Sequence, residues 1–518
     1  MSAAADPAGP PAQGTTGGQV RVAIVVAVVL SAVLEVLDST IVNVAIPHIK
    51  AAFGATNVQI TWVLTSYIVA AVVVMPLTGL LARRLGRRRL LLTAVGGFAL
   101  MSAACGLATS LEGMVVFRMG QGLFGAFLIP LSQAILFDAF PKEKRGQAMA
   151  LFGLGVVVAP VLGPTLGALL TEYFSWRMVF FVNLPVAGLA LSVLAAQLPH
   201  DEGQPAPIDW PGLILMAAAI GALQFTLDQG AERDWFESPL VQASVAASAW
   251  AAFAFLLLRF DHPAPVIDLS LFKDRNFALA NVVMAGFAVA MFGGIAILPL
   301  FVQGLIGYPV MLAGYLFIPR GLAAGFSMVI TGSVLSRRFD PRLLATVGLA
   351  LTAAGNWLTG RLTLEVGFWD LALPGVVAGL GMGLVFVPMS TMAFDSISRE
   401  RQTEASGLYG VTRQLGSSIG IAVVGALLTH ATGVATARLG ENVTPYSEAA
   451  RAYLQPLGLS PESAQGAAMI EQVLATQASL QGFLFVFDLL AIQSIALVPL
   501  LWLMHRPKAA GGEGPAVH

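Results

Sequence analysis

Long runs free of Asp, Glu, Lys and Arg divide the chain almost from end to end. They cover residues 51–82, 90–111, 119–137, 146–171, 178–200, 210–227, 238–258, 343–360, 371–394 and 414–437. A helix needs about 20 mostly apolar residues to cross the hydrocarbon core, so each run predicts a membrane span. The run 276–319 is too long for one span. It holds Gly304, Gly307 and Pro309 near its middle, which predicts a helix, a tight turn and half of the next helix. Two further spans carry charge within them: 22–47 with Glu35 and Asp38, and 480–504 with Asp488. The expected fold is an all-α integral membrane protein with fourteen transmembrane helices. An even number puts both termini on the same side.

The sparse charges orient these spans. With the amino terminus in the cytoplasm, nineteen of the 28 Lys and Arg fall in cytoplasmic segments and six in outer ones. Arg118, Arg320 and Arg413 lie inside spans. The first twenty residues read as a disordered cytoplasmic tail rather than a signal peptide, because no basic region precedes a short apolar core. Residues 507–518 form a second cytoplasmic tail. The segment at about 432–479 is the longest outer loop, with Ala-rich helical pieces that could cap the outer face.

Composition removes the competing classes. The chain is 57% hydrophobic and 11% charged over 518 residues, against about 25% charged in soluble domains. A net charge of −1 leaves no basic footprint for nucleic acid. The single cysteine, Cys105, excludes an intrachain disulfide. Six scattered histidines give no metal-ligand spacing, and no phosphate-binding loop or nucleophile–base set is present. The expectation is therefore a non-enzyme without cofactor or metal.

The chain also repeats itself. Gly79-Leu80-Leu81-Ala82-Arg83-Arg84-Leu85-Gly86-Arg87-Arg88 returns 254 positions later as Ser333-Val334-Leu335-Ser336-Arg337-Arg338-Phe339-Asp340-Pro341-Arg342. Parallel six-helix repeats around a midplane site are a transporter architecture. Six plus two plus six helices follow. Residues 21–200 form the first pseudo-symmetric half, 201–275 a linker with two extra helices, and 276–506 the second half. Both arginine turns read as cytoplasmic gating loops, with Gly79, Arg83, Arg84, Gly86, Arg88, Arg337 and Arg338 as candidates.

Several short motifs resemble the major facilitator superfamily in its fourteen-helix drug/proton antiporter branch, the EmrB/QacA-like exporters. They are Leu37-Asp38-Ser39-Thr40 through Pro47, the turn 83–89, Arg118-Met119-Gly120-Gln121-Gly122, and Ala159-Pro160-Val161-Leu162-Gly163-Pro164-Thr165-Leu166-Gly167. Trp176-Arg177, Phe180 to Pro185, Asp268 to Phe272 and Arg413-Gln414-Leu415-Gly416 are similar too. Arg83 departs from that pattern, standing where many members carry Asp. The resemblance implies a major facilitator fold and antiport of drugs against protons across a bacterial cytoplasmic membrane. It also implies a periplasmic membrane-fusion partner and an outer-membrane channel.

Ionisable groups inside a membrane are costly and usually paired. Asp38 with Arg118 is the favoured proton-coupling pair, because a carboxylate moving relative to an arginine switches its proton affinity. Glu35 lies three residues earlier, on nearly the same helix face. It is a second proton site, an anchor for a cationic substrate, or simply a partner for an arginine. Asp488, Arg320 and Arg413 are second-half charge sites; packing roles compete for both arginines. Pro160, Gly163, Pro164 and Gly167 suggest a hinge or leak seal where the two halves meet.

The expected activity is proton-coupled export of hydrophobic or cationic toxic compounds by alternating access, within the lipid bilayer and on small-molecule cargo. A dedicated exporter of one metabolite, siderophore or lipid is the alternative. A non-transporting receptor or scaffold is the rival from another class.

Overall fold

A computed structural model describes residues 17–141, 144–201, 203, 208–259, 267–441, 443–444 and 447–506. Most of the tail expected at 1–20, all of 507–518, and part of the 201–275 linker lie outside these residues. The described chain is helical, with no strand among the described residues.

The helices used below are α1 (Gly17–Phe53), α2 (Gln59–Leu85), α3 (Arg87–Leu107), α4 (Leu111–Ala139) and α5 (Arg145–Tyr173). They continue with α6 (Met178–Gln197), α7 (Trp210–Gln229), α8 (Pro239–Arg259) and α9 (Arg275–Leu305). The last are α10 (Met311–Arg338), α11 (Pro341–Thr359), α12 (Phe368–Phe394), α13 (Gln402–Gly440) and α14 (Ala464–Trp502). Among the described residues, twelve helices are long and apolar enough to cross a membrane; α5 and α11 are not in that set. Helix α11 is only 19 residues long and begins at Pro341-Arg342. It also carries a buried Asn356.

Local chemistry sets the boundaries. Thr56 and Gln59 cap the start of α2 reciprocally, at 3.2 and 2.9 Å. Gly86, at φ 83°, turns the chain between α2 and α3, a backbone geometry suited to glycine. Asp201, beyond α6, accepts hydrogen bonds from the Arg87 and Arg88 amides, where a negative charge suits a helix start. Asp340 opens α11 in a related way. It accepts from the Arg342 amide at 2.9 Å and pairs with Arg506, beyond α14, at 3.1 Å. Burial alone would raise the Asp340 pKa. Hydrogen bonds from Arg342 and the charges of Arg342 and Arg506 outweigh it and hold the carboxyl below its ordinary value. Each arginine turn is thus tied to the chain that leaves its own six-helix bundle.

Helices α1–α6 pack on one another, as do α9–α14. Helix α5 lies against α10 and α12, and α13 against α2 and α4, so these contacts form the seam between the two bundles. Helix α7 covers one side of it, touching both α2 and α13. Its Asp228 accepts a hydrogen bond from Thr65, and its Gln224 donates to Ser418 at 2.9 Å. In the expected outer loop, α13 runs on to Gly440, a short helix spans Glu448–Leu454, and α14 begins at Ala464.

Candidate functional site: a buried charge network beside the seam

Asp38 and Arg118 meet in the amino-terminal bundle, both with 0% of their surface exposed. Arg118 Nη1 donates to Asp38 Oδ2. Asp38 Oδ1 accepts from Gln121 Nε2 at 2.9 Å and from Asn183 Nδ2 at 2.8 Å. Arg118 Nε donates to the Val63 carbonyl at 3.1 Å, and its guanidinium lies 4.2 Å from the Tyr67 ring centroid. Asn183 also donates to Ser102 Oγ at 3.0 Å, which donates to the Phe180 carbonyl at 2.8 Å. One network therefore joins α1, α2, α3, α4 and α6.

Burying two charges costs several kcal/mol per ion unless their hydrogen bonds are completed. Here Asp38 has three donors, and Arg118 engages an anion, a carbonyl, an amide oxygen and a ring. Pulling either group away strands the other. Gln121 and Asn183 lie within the motifs quoted above. Ser102 and Tyr67 carry no motif, and their part follows only from the packing of α3 and α2.

Glu35 does not join this network. It is buried one turn earlier, against the backbone amide of Ile129. That amide lies where α4 is interrupted: one helical segment ends at Gly125 and the next starts at Leu128. Pro130 supplies no amide of its own there. Among the described residues, Glu35 Oε2 has no hydrogen-bond partner. Across the seam, Arg413 is an opposite charge that acts on it. Arg413 lines a narrow cleft with Ile129, Gln133, Phe152, Phe386 and Tyr409, too tight for a water. No hydrogen bond to its guanidinium occurs among the described residues.

The seam is latched at its arginine-rich end. Arg83 Nη1 donates to Glu404 Oε2 at 2.6 Å, and Glu404 Oε1 accepts from the Asp268 amide at 2.9 Å. Arg87 pairs with Asp138, which also accepts from Arg399 Nε at 3.1 Å. Arg401 pairs with Asp268. Gly79 makes the approach possible, since a Cβ there would stand 2.6 Å from the Glu404 Cβ. The arginine turn was legible in the sequence. Glu404 and Asp138 were not, because an acid at a helix end gives no sign of which arginine it meets.

Other candidates fall elsewhere. Arg88 stays within its own bundle, donating to the Ala195 carbonyl and meeting His200. Arg84, Arg337 and Arg338 are exposed. Asp488 pairs at 2.9 Å with Arg361, which lies just past the end of α11 and whose side chain is half exposed. Gly163 and Gly167 do not face the seam. A Cβ on Gly163 would collide with Thr40, and one on Gly167 would sit 2.8 Å from the Ile41 carbonyl, so both pack α5 against α1. Helix α5 runs unbroken through Pro160 and Pro164. A small-residue stripe signals close approach without naming the partner. Here the partner is the helix that carries Asp38.

Two bundles meeting at a seam, with buried charges in one of them, match a known profile. Residues 28–421 match the Major Facilitator Superfamily. The chain belongs to that superfamily. Fatty acid resistance protein FarB of Neisseria gonorrhoeae is 35% identical, over 94% of this chain and 96% of its own. Multidrug export protein EmrB of Escherichia coli (strain K12) is 33% identical, over 97% of this chain and 98% of its own. The human organic anion transporter MFSD10 shares the fold, with a TM-score of 0.60 at 15% identity over 94% of this chain and 100% of that one. The superfamily is one of transporters and points away from an enzyme.

Proposed function

We propose that this superfamily member exports hydrophobic and cationic toxic compounds from a bacterial cytoplasm in exchange for protons. FarB and EmrB, similar over nearly the whole chain, support resistance by export. The observation that carries proton coupling is the Asp38–Arg118 network set one turn from a buried Glu35 with an unpartnered oxygen. A proton arriving at Asp38 cancels the charge that holds Arg118 and loosens the ties among five helices. Glu35, at the seam, takes a proton or a cationic cargo. Opening and closing the latch at Arg83–Glu404 exposes the seam to one side at a time, with the bundles 21–200 and 276–506 rocking as units.

Helices α5 and α11 complete the membrane set in this reading, making fourteen spans with the twelve above. Helices α7 and α8 are then the two extra spans. The arginine-rich end and both termini lie in the cytoplasm, and the protein sits in the inner membrane. The helical extensions at 432–479 then face the periplasm, where a membrane-fusion protein leading to an outer-membrane channel would dock.

The test is efflux of a fluorescent lipophilic cation from a pump-deficient host. Energised cells expressing the protein are expected to keep dye out, and an uncoupler is expected to abolish the difference from empty-vector cells. Efflux that survives full collapse of the proton gradient contradicts the antiport mechanism.

A further inference from the structure

Tyr67 of α2 stands between the two acids of α1. Its ring face lies 4.2 Å from the Arg118 guanidinium, inside the Asp38 network. Two glycines of α4 fix where the rest of the residue lies. A Cβ on Gly122 would stand 2.2 Å from the Tyr67 carbonyl oxygen, and one on Gly125 would stand 3.2 Å from the phenol oxygen. Both distances are shorter than side chains normally pack, so α2 and α4 approach closely at Tyr67 because small residues allow it. Gly125 ends the first segment of α4. Ile129, whose amide meets Glu35, comes one turn later. The phenol therefore extends from the ion pair to the helix interruption at which Glu35 sits.

Two buried polar atoms beside this interruption have no hydrogen-bond partner among the described residues, the Tyr67 hydroxyl and Glu35 Oε2. Tyr67 is 4% exposed and Glu35 is 8% exposed. Unsatisfied buried groups are rare and costly, and these two are complementary. A phenol both donates and accepts; a carboxylate accepts, and a carboxylic acid also donates. The two can bond whether or not Glu35 holds a proton. Glu35 and Asp38 both lie close enough for their charges to act on Tyr67, as does Arg118. Across the seam Arg413 acts on Glu35, and on α3 the Cys105 thiol faces Arg118 and Asp38. Arg320 lies apart, lining a cavity of about 20 Å³ between α10, α11 and α12.

We propose that Tyr67 is a positioning residue that links the two acids, its hydroxyl receiving the Glu35 carboxyl when that group turns from the Ile129 amide while its ring holds Arg118. The phenol keeps its own proton and shares it in a hydrogen bond; no proton passes through it. A donor favours the ionised carboxylate. Tyr67 thus lets Glu35 give up its proton while Asp38, one turn away, is still charged. Because the same ring bears on Arg118, a change at Glu35 is felt at the Asp38 pair. The use made of these protons rests on the exporter reading; the contact itself does not.

The experiment is infrared difference spectroscopy of the full-length protein in lipid nanodiscs through a pH titration, with thermal unfolding and efflux of a lipophilic cation alongside. The protonated Glu35 carboxyl is the carbonyl band that Glu35→Gln removes. Tyr67→Phe keeps the ring and deletes only the hydroxyl, so it is expected to move that band to higher frequency, as loss of a hydrogen bond does. Uphill efflux is expected to fall about tenfold, the factor that a hydrogen bond to a charged group is worth. Unfolding of Tyr67→Phe is expected at or above the wild-type temperature, because the hydroxyl has no partner to lose among the described residues. Tyr67→Leu, which also takes the ring from Arg118, is expected to unfold earlier. A band that Tyr67→Phe leaves unmoved overturns the proposal. So does undiminished efflux in Tyr67→Phe, or a Tyr67→Phe protein that unfolds as early as Tyr67→Leu. If the wild type exports no cation, the exporter reading fails, while the frequency of the Glu35 band still decides the role of Tyr67.

Discussion

Asp38→Asn is expected to abolish uphill efflux and to destabilise the protein at the same time. Asparagine keeps the shape of the side chain but presents an amide to Arg118 in place of one carboxylate oxygen. Arg118 then remains buried and charged without its anion, and Gln121 and Asn183 share a single neutral acceptor. Removing one partner of a buried pair costs about 3–5 kcal/mol. Thermal unfolding in detergent reads that cost directly. Asp38→Asn with Arg118→Met removes the stranded charge and is expected to recover much of the lost stability, because apolar replacement of a buried pair is often neutral. Efflux is expected to stay absent in the double variant. Stability and transport thus separate: the first follows charge balance, the second needs the carboxylate. A double variant that regained uphill efflux would assign the network to architecture alone.

Glu404→Ala is expected to unlatch the arginine-rich end. Glu404 is 3% exposed and holds both Arg83 of α2 and the Asp268 amide ahead of α9. A hydrogen bond to a charged group is worth about 1.5–3 kcal/mol. The low end applies, because the Arg83 side chain is 42% exposed and partly screened. About 1.4 kcal/mol is tenfold in an equilibrium. The open population is therefore expected to rise by about that factor. Ser406 is 1% exposed at the seam and donates to Gln133 at 3.0 Å. A cysteine placed there, with Cys105→Ser as background, reports the opening through its labelling rate in inverted vesicles. Labelling is expected to speed up about tenfold in Glu404→Ala. The charge-swapped pair Arg83→Glu with Glu404→Arg is expected to restore the slow rate. An unchanged rate in Glu404→Ala means that glycine-mediated packing, not the ion pair, holds the seam.

Scarcity of charge is what makes parts of this site legible in the sequence. A fully buried arginine and aspartate stand out when almost every neighbour is apolar, and Asp38 and Arg118 are indeed in contact. Glu35 was visible for the same reason. Its place against the interruption of α4 at Ile129 was not, because a helix break inside an apolar run leaves only a proline as its mark. Asp488 was visible as well, but its partner was not: Arg361, just past the end of α11, pairs with it at 2.9 Å. The glycines at 163 and 167 announced close packing and left its direction open. The latch acids Asp138 and Glu404 depend on which loops the folded bundles bring together. No local pattern encodes that.

Coupling between cargo and protons is the central claim, and proteoliposomes test it most directly. Purified protein is reconstituted with a trapped pH dye, and a saturating cationic cargo is added to one side without any imposed gradient. Wild type is expected to move protons in the direction opposite to the cargo, with the signal lost in Asp38→Asn and strongly reduced in Glu35→Gln. Cargo accumulation with no pH change in wild type, or an undiminished proton signal in Asp38→Asn, would contradict the account.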